Sequence, residues 1–307
     1  MVKKKGWLYE LSRNRFSYLL ILPAMMYVFI FSYATYPYLL IAFQRFQYSS
    51  GLLGSEWIGL KNFEFFFRSS DAARILWNTV YLNLLFIGFG TVAAVALAVL
   101  FNEVRGRLFR KLAQTTMIFP HFLSWIIVSY MMYGLFSTDF GVINRMLTSV
   151  GLDPVNWYTK TEAWPWILVG MKVWKEAGMN SIIYLAAITG IDHSLYESAA
   201  IDGANRWRKI VSITLPLLAP TIAILTLLNL GKIFYGDFGM IYAIIGDNGV
   251  LYPTTDVIDT YVFRALRQIG DPSNAAAVGL FQSVVGFVLV FAANWVTRRY
   301  FREGALY

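Results

Sequence analysis

From Ile75 to Phe101 the chain reads ILWNTVYLNLLFIGFGTVAAVALAVLF, 27 residues without one charged side chain. As a helix rising 1.5 Å per residue, this run is about 40 Å long, more than enough to cross roughly 30 Å of hydrocarbon. Five more stretches have similar character: Tyr18 to Phe43, Leu112 to Phe136, Trp164 to Ile191, Ile213 to Phe234 and Ala275 to Val296. Prolines 23, 37, 120 and 220 fall inside them, and membrane helices tolerate such interruptions because neighbouring groups re-satisfy the freed carbonyls. The first run is longer than the apolar core of a signal peptide and no small-residue cleavage site follows it. Composition agrees with this reading. Of 307 residues, 57% are hydrophobic and only 14% charged, whereas soluble domains carry about 25% charged residues. One or two aqueous domains are excluded, and so is disorder, whose signature is low hydrophobicity. The expectation is an all-α polytopic membrane protein with six transmembrane helices.

An even number of spans puts both termini on one side, and the basic residues say which. The N-terminus, the connections 102–111 and 192–212 and the C-terminal tail together hold fifteen basic residues against six acidic ones. Among them are Lys3, Lys4, Lys5, Arg105, Arg107, Arg206, Arg208 and Arg302. The opposite connections hold eight basic against eleven acidic residues. By the positive-inside rule the first set is cytoplasmic. The net charge of +8 is therefore topology and not a nucleic-acid footprint. The expected layout is a cytoplasmic segment over 1–17, a six-span domain over 18–297 and a cytoplasmic tail over 298–307. The outer connections after the first, third and fifth runs are long, roughly 30, 27 and 40 residues, and such loops usually carry a role. They hold Trp57, Trp157, Tyr158 and an acidic set including Asp237, Asp256 and Asp259, and residues 255–268 have helical spacing. No internal repeat is visible.

The cytoplasmic connection 192–212 has content of its own. Ser194 followed by Glu197 fits a capping box, Ser198 to Ala200 continue a short helix, and Gly203 stands where a left-handed residue ends one. Pro216 is placed for the first turn of the next span. A short capped surface helix suits a groove in a partner protein; the plainer alternative is a turn that merely orients two spans.

The residues Glu197-Ser198-Ala199, then Gly203, then Ile213, Leu215 and Pro216 resemble the EAA loop of the membrane subunits of ATP-binding-cassette importers. Ser198, in place of the first alanine, is the only departure. Gly59 to Phe63, Val257 to Val262 and Ala277 to Phe281 extend the likeness toward the carbohydrate-uptake branch, including permeases for alginate and pectin-derived saccharides. The resemblance implies a type I importer permease fold in a bacterial cytoplasmic membrane. It makes Glu197, Ser198, Ala199, Asp202 and Gly203 an ATPase-coupling core. The implied partners are a second homologous permease, two ATPase subunits carrying ATP and magnesium, an extracytoplasmic solute-binding protein and an oligosaccharide. The phosphate-cradling pattern Gly-x4-Gly-Lys-Ser/Thr does not occur in the chain. Cysteine is absent, and His121 and His193 form no metal or triad pattern. No cofactor and no enzyme activity are expected of this chain.

Charges inside the spans are costly and usually face protein or a water-filled path. Here they are Lys172, Lys175 and Glu176 in the fourth run and Lys232 in the fifth. Lys172 and Glu176 are four apart and can pair. Asn180 lies one turn further on, and Asn229, Lys232 and Tyr235 share a face if the fifth helix continues through them. In maltose-type permeases, which this chain resembles, sugar contacts come from the same two spans. These seven residues are the candidate substrate path, with the lysines suited to an anionic, uronate-containing saccharide. Lys172 is also close enough to a span end to snorkel. An ion-coupled secondary transporter, a docking subunit without a path, and an importer of a non-sugar solute are the competing readings.

Overall fold

The computed structural model describes residues 13–104 and 106–300. Lys3, Lys4, Lys5, Arg105 and Arg302, all part of the topology argument, lie outside the described residues. The chain is predominantly helical. α1 covers Arg15–Val28 and runs through a widened turn, Phe29–Tyr33, into a tight helix, Tyr36–Phe43. A two-residue hairpin pairs β1 (Gln44–Arg45) with β2 (Glu56–Trp57), Gln44 opposite Trp57. Then follow α2 (Lys61–Arg68), α3 (Ala72–Glu103), α4 (Arg107–Ile118), α5 (Trp125–Phe136), α6 (Val142–Ser149) and α7 (Trp164–Thr189). The chain continues with α8 (His193–Ile201), α9 (Arg206–Leu230, widened at Ile210–Thr214), α10 (Phe238–Ile245), α11 (Ile258–Arg264) and α12 (Pro272–Tyr300).

Among the described residues, four helical segments are long and apolar enough to cross a membrane: Arg15–Phe43, Ala72–Glu103, Arg206–Leu230 and Pro272–Ala292. The expected third span is not a single rod. It breaks at Phe119–Phe122 into α4 and α5, bent by 98°. Pro120 sits in the break, and Ser124 restarts the helix by accepting the Ile127 N–H at 3.3 Å. The fourth expected span is a continuous 26-residue helix, α7, but it carries Lys172, Lys175 and Glu176 in its middle. The fifth begins earlier and ends earlier than expected. Pro216 follows the widened turn inside one continuous helix, whose N-terminus is capped by Asn205 accepting the Arg208 N–H at 2.8 Å. The helix stops at Leu230.

The packed centre is α7 against α3. Leu82 and Phe86 meet Leu168 and Val169 at one end; Ala94 and Ala98 meet Tyr184 and Ile188 at the other, with Leu218 of α9 joining there. Small residues at 94 and 98 let the backbones approach, the usual device where lipid supplies no hydrophobic drive between helices. Gly178 does the same for α4: a Cβ there would overlap the backbone carbonyl of Met117. α1 buries no residue, so its apolar surface faces outward, as a lipid- or partner-facing helix does.

A second anchor holds the outer segment Tyr252–Arg264 on α3. Asp256, only 1% exposed, receives two guanidinium bonds from Arg264 at 2.8 and 2.6 Å. Thr260 donates to the same carboxylate at 2.7 Å, and Arg264 stacks over Tyr252 at 4.2 Å. Arg264 is held above its ordinary pKa by Asp256, against the opposing effect of burial. Asn78 of α3 donates to the carbonyls of Pro253 and Asp256 at 3.1 and 3.2 Å.

Candidate functional site

Two regions carry the candidate chemistry. The first is α8. Its N-terminus is capped by Asp192, which accepts the Ser194 N–H at 2.9 Å. This bond holds the Asp192 carboxyl below the usual carboxylate range. The capping box expected at Ser194 is thus replaced by a cap two residues earlier, because the Asp192 carboxylate takes the free Ser194 N–H and the helix starts there. The C-terminus closes as the sequence implied. Gly203 is left-handed at φ +76°; its N–H donates to Ala200 O at 3.1 Å, and the Ala204 N–H to Ala199 O at 2.8 Å. This is the paired closure of a Schellman motif. Glu197, Ser198, Asp202 and Gly203 are exposed and Ala199 is half-buried. Ile201 and Trp207, 87% and 72% exposed, flank them as apolar tips. Tyr196 bonds the Thr214 hydroxyl at 3.0 Å, tying α8 to the widened turn of α9.

The second region is a cavity of about 590 Å³ between α3, α7, the end of α9 and the start of α10. It gathers Lys172, Glu176, Asn180, Asn229, Lys232 and Tyr235. Lys232 and Tyr235 do not reach it from a helix face, since α9 has already ended. Gly231 and the residues after it turn instead, and their carbonyls are taken up from elsewhere. Asn83 of α3 donates to Ile233 O and Tyr235 O at 2.9 and 3.2 Å. Gln282 of α12 donates to Phe234 O at 2.7 Å. Asp259 accepts the Gly236 N–H at 2.6 Å and Gln282 Nε2 at 3.0 Å; burial raises its pKa despite these bonds. Such interception of backbone groups is what allows irregular chain at membrane depth.

Lys172 is committed on both sides. It bonds Glu176 at 3.0 Å and Asp237 at 2.6 Å, while Asp237 also caps α10 through the Met240 N–H at 3.1 Å. Asp237 had been grouped with the acidic outer connection; it belongs to the cavity wall. Lys175, expected in the path, is not in the cavity. It is 7% exposed, donates to His121 O at 2.9 Å and lies 4.9 Å over the Trp125 ring, so it fastens the bent pair α4–α5 to α7. Lys175 is one position before Glu176, about 100° round the helix from it, and here that side faces the bent pair. Sequence reasoning also missed Asn83. Its signal was present, a carboxamide in the middle of the charge-free run from Ile75 to Phe101. Among the described residues no group of three His, Asp or Glu is placed to hold a metal.

Residues 86–302, more than half of the chain, match the family of binding-protein-dependent transport system inner membrane components. The chain belongs to that family. This permease is 37% identical over 302 residues to the polygalacturonan/rhamnogalacturonan transport system permease protein YteP of Bacillus subtilis, covering 98% of this chain and 94% of that protein. A chain of the bacterial alginate ABC transporter, crystallised with an alginate pentasaccharide-bound periplasmic protein, superposes with a TM-score of 0.86 at 37% identity, over 96% of this permease and 98% of that chain. A bacterial ABC transporter involved in the import of the acidic polysaccharide alginate gives 0.87 at 37% identity, over 96% and 99%. The permease is a transport subunit and not an enzyme.

Proposed function

We propose that this permease forms, with a second homologous permease, the membrane path of an ATP-binding-cassette importer for oligosaccharides, acidic ones included. The relatives' substrates, polygalacturonan, rhamnogalacturonan and alginate, support the saccharide class. In this reading six membrane crossings lie between residues 18 and 297, the bent pair α4–α5 and the charged helix α7 supplying two of them. Both termini and the connection 192–212 are cytoplasmic, in a bacterial inner membrane. An extracytoplasmic solute-binding protein delivers the saccharide to the outer connections. Two ATPase subunits hold the ATP and magnesium and receive α8 in a cleft, with Glu197, Ser198, Ala199, Asp202 and Gly203 as the docking core.

One observation carries the reading. An exposed, doubly capped helix bearing the EAA residues is fastened through Tyr196 and Thr214 to the base of α9, and the far end of α9 contributes Asn229 to the cavity. α9 is a rod of 25 residues, about 37 Å long. Displacement of α8 by a closing ATPase dimer therefore reaches the cavity along a single element. The saccharide moves inward because its affinity differs between the binding protein and the outward- and inward-facing cavity. The test is a reconstituted complex in which Glu197→Lys reverses the charge on α8. ATP-driven uptake falls at least tenfold, and a cysteine placed at Ala199 no longer cross-links to the ATPase. Uptake and cross-linking at wild-type levels would remove α8 from the coupling route.

A further inference from the structure

We infer that Lys232 is the residue by which this subunit selects saccharides carrying a carboxylate; the inference rests on the oligosaccharide reading above. Three lysines were candidates for an anionic ligand, and the structure separates them. Lys175 is turned away into the bend between α4 and α5. Lys172 faces the cavity, but its ammonium already meets Glu176 and Asp237 and lies 5.8 Å over the Phe86 ring. Two carboxylates on one ammonium leave that triad with a formal charge of −1. Lys232 is exposed in the cavity wall and makes no ion pair among the described residues. Its backbone is fixed: its N–H donates to Asn229 O at 2.9 Å and its carbonyl accepts the Tyr235 N–H at 2.8 Å. This turn sets one ammonium beside one carboxamide and one aromatic ring, Asn229 and Tyr235. The carboxamide suits sugar hydroxyls, the ring suits the apolar face of a pyranose, and Lys232 Nζ is left to donate to a uronate oxygen. Lys232 also balances the wall. With it, the four charged side chains of the cavity sum to zero; without it they sum to −1 and repel the same ligand.

The complete importer, reconstituted with its partner permease, ATPase and binding protein, provides the test. Initial uptake is compared for galacturonate and mannuronate tetramers and for their neutral methyl esters. Wild type favours the acids. Loss of one charge-assisted hydrogen bond lowers the acid-to-ester ratio about tenfold to a hundredfold in Lys232→Met, and Lys232→Arg restores most of it. Lys172→Met removes an ammonium already held by two carboxylates, and lowers the acid-to-ester ratio less than Lys232→Met does. A wild-type ratio in Lys232→Met overturns the inference, as does equal loss of acid and ester, the mark of a lysine that only pairs with another subunit. Wild type that prefers the esters overturns it too, while leaving the oligosaccharide reading standing. Wild type that carries none of the four compounds overturns the oligosaccharide reading itself.

Discussion

Arg264→Met removes the guanidinium that meets Asp256 and leaves a carboxylate only 1% exposed, with Thr260 as its remaining side-chain donor. Two bonds of 2.8 and 2.6 Å are lost together with the stacking on Tyr252. Removing one partner of a buried ion pair costs about 3–5 kcal/mol, because the other charge stays desolvated. Removing both need not. In Asp256→Leu/Arg264→Met no charge is stranded, the Thr260 hydroxyl turns its one proton to Val257 O, 2.9 Å away, and most of the loss is recovered. The readout is amide hydrogen exchange over residues 252–264 in the purified complex, since opening of this segment is local rather than global. Arg264→Met should raise exchange there by roughly two to four orders of magnitude, with the double variant closer to wild type. A single variant within fivefold of wild type, or a double variant worse than the single, would refute the claim that this pair holds the outer segment in the shape that Asn78 of α3 grips.

Three shorter predictions concern other elements. Gly178→Ala drives a methyl into the Met117 backbone, which cannot rotate aside, whereas Gly170 on the same helix has open space; the first should cost about 1–3 kcal/mol and lower the melting temperature, and Gly170→Ala should not. Lys175→Met frees the His121 carbonyl; a cysteine at Leu123 should become more reactive to a water-soluble maleimide, with the acid-to-ester uptake ratio unmoved. Asp259, pushed upward by burial, binds its proton more tightly in the folded state than in the unfolded one. Its contribution is therefore fully present below the unfolded pKa and is lost as pH rises through the folded one. Melting temperatures taken from acid to neutral pH should fall less steeply in Asp259→Asn than in wild type.

What sequence reasoning could read was whatever a local pattern decides. The charge-free run from Ile75 lies within α3, and the short helix before Gly203 closes on that glycine, because hydropathy and capping act over a few residues. Six of the seven proposed path residues share one cavity; the periodicity of α7 accounts for Lys172, Glu176 and Asn180. The rest depended on distant partners. Pro120 is compatible with a straight membrane helix; the 98° bend there is matched to Lys175 and Gly178 of α7, more than fifty residues away. α9 ends at Leu230 where Asn83, 150 residues earlier, takes the Ile233 carbonyl. Asp237 reads as one more acidic residue of an outer connection until its 2.6 Å bond to Lys172, 65 residues upstream, is seen. Even the cap of α8 stands at Asp192, two residues before the serine that local spacing favoured.

The central claim, that this permease passes oligosaccharides under the drive of a separate ATPase, is tested most directly by uptake of a labelled galacturonate tetramer into proteoliposomes holding the permease pair and its ATPase. Uptake should require both internal ATP and the saccharide-loaded binding protein outside, and should be indifferent to an imposed proton or sodium gradient. Uptake that follows such a gradient without ATP would contradict the account and favour an ion-coupled carrier.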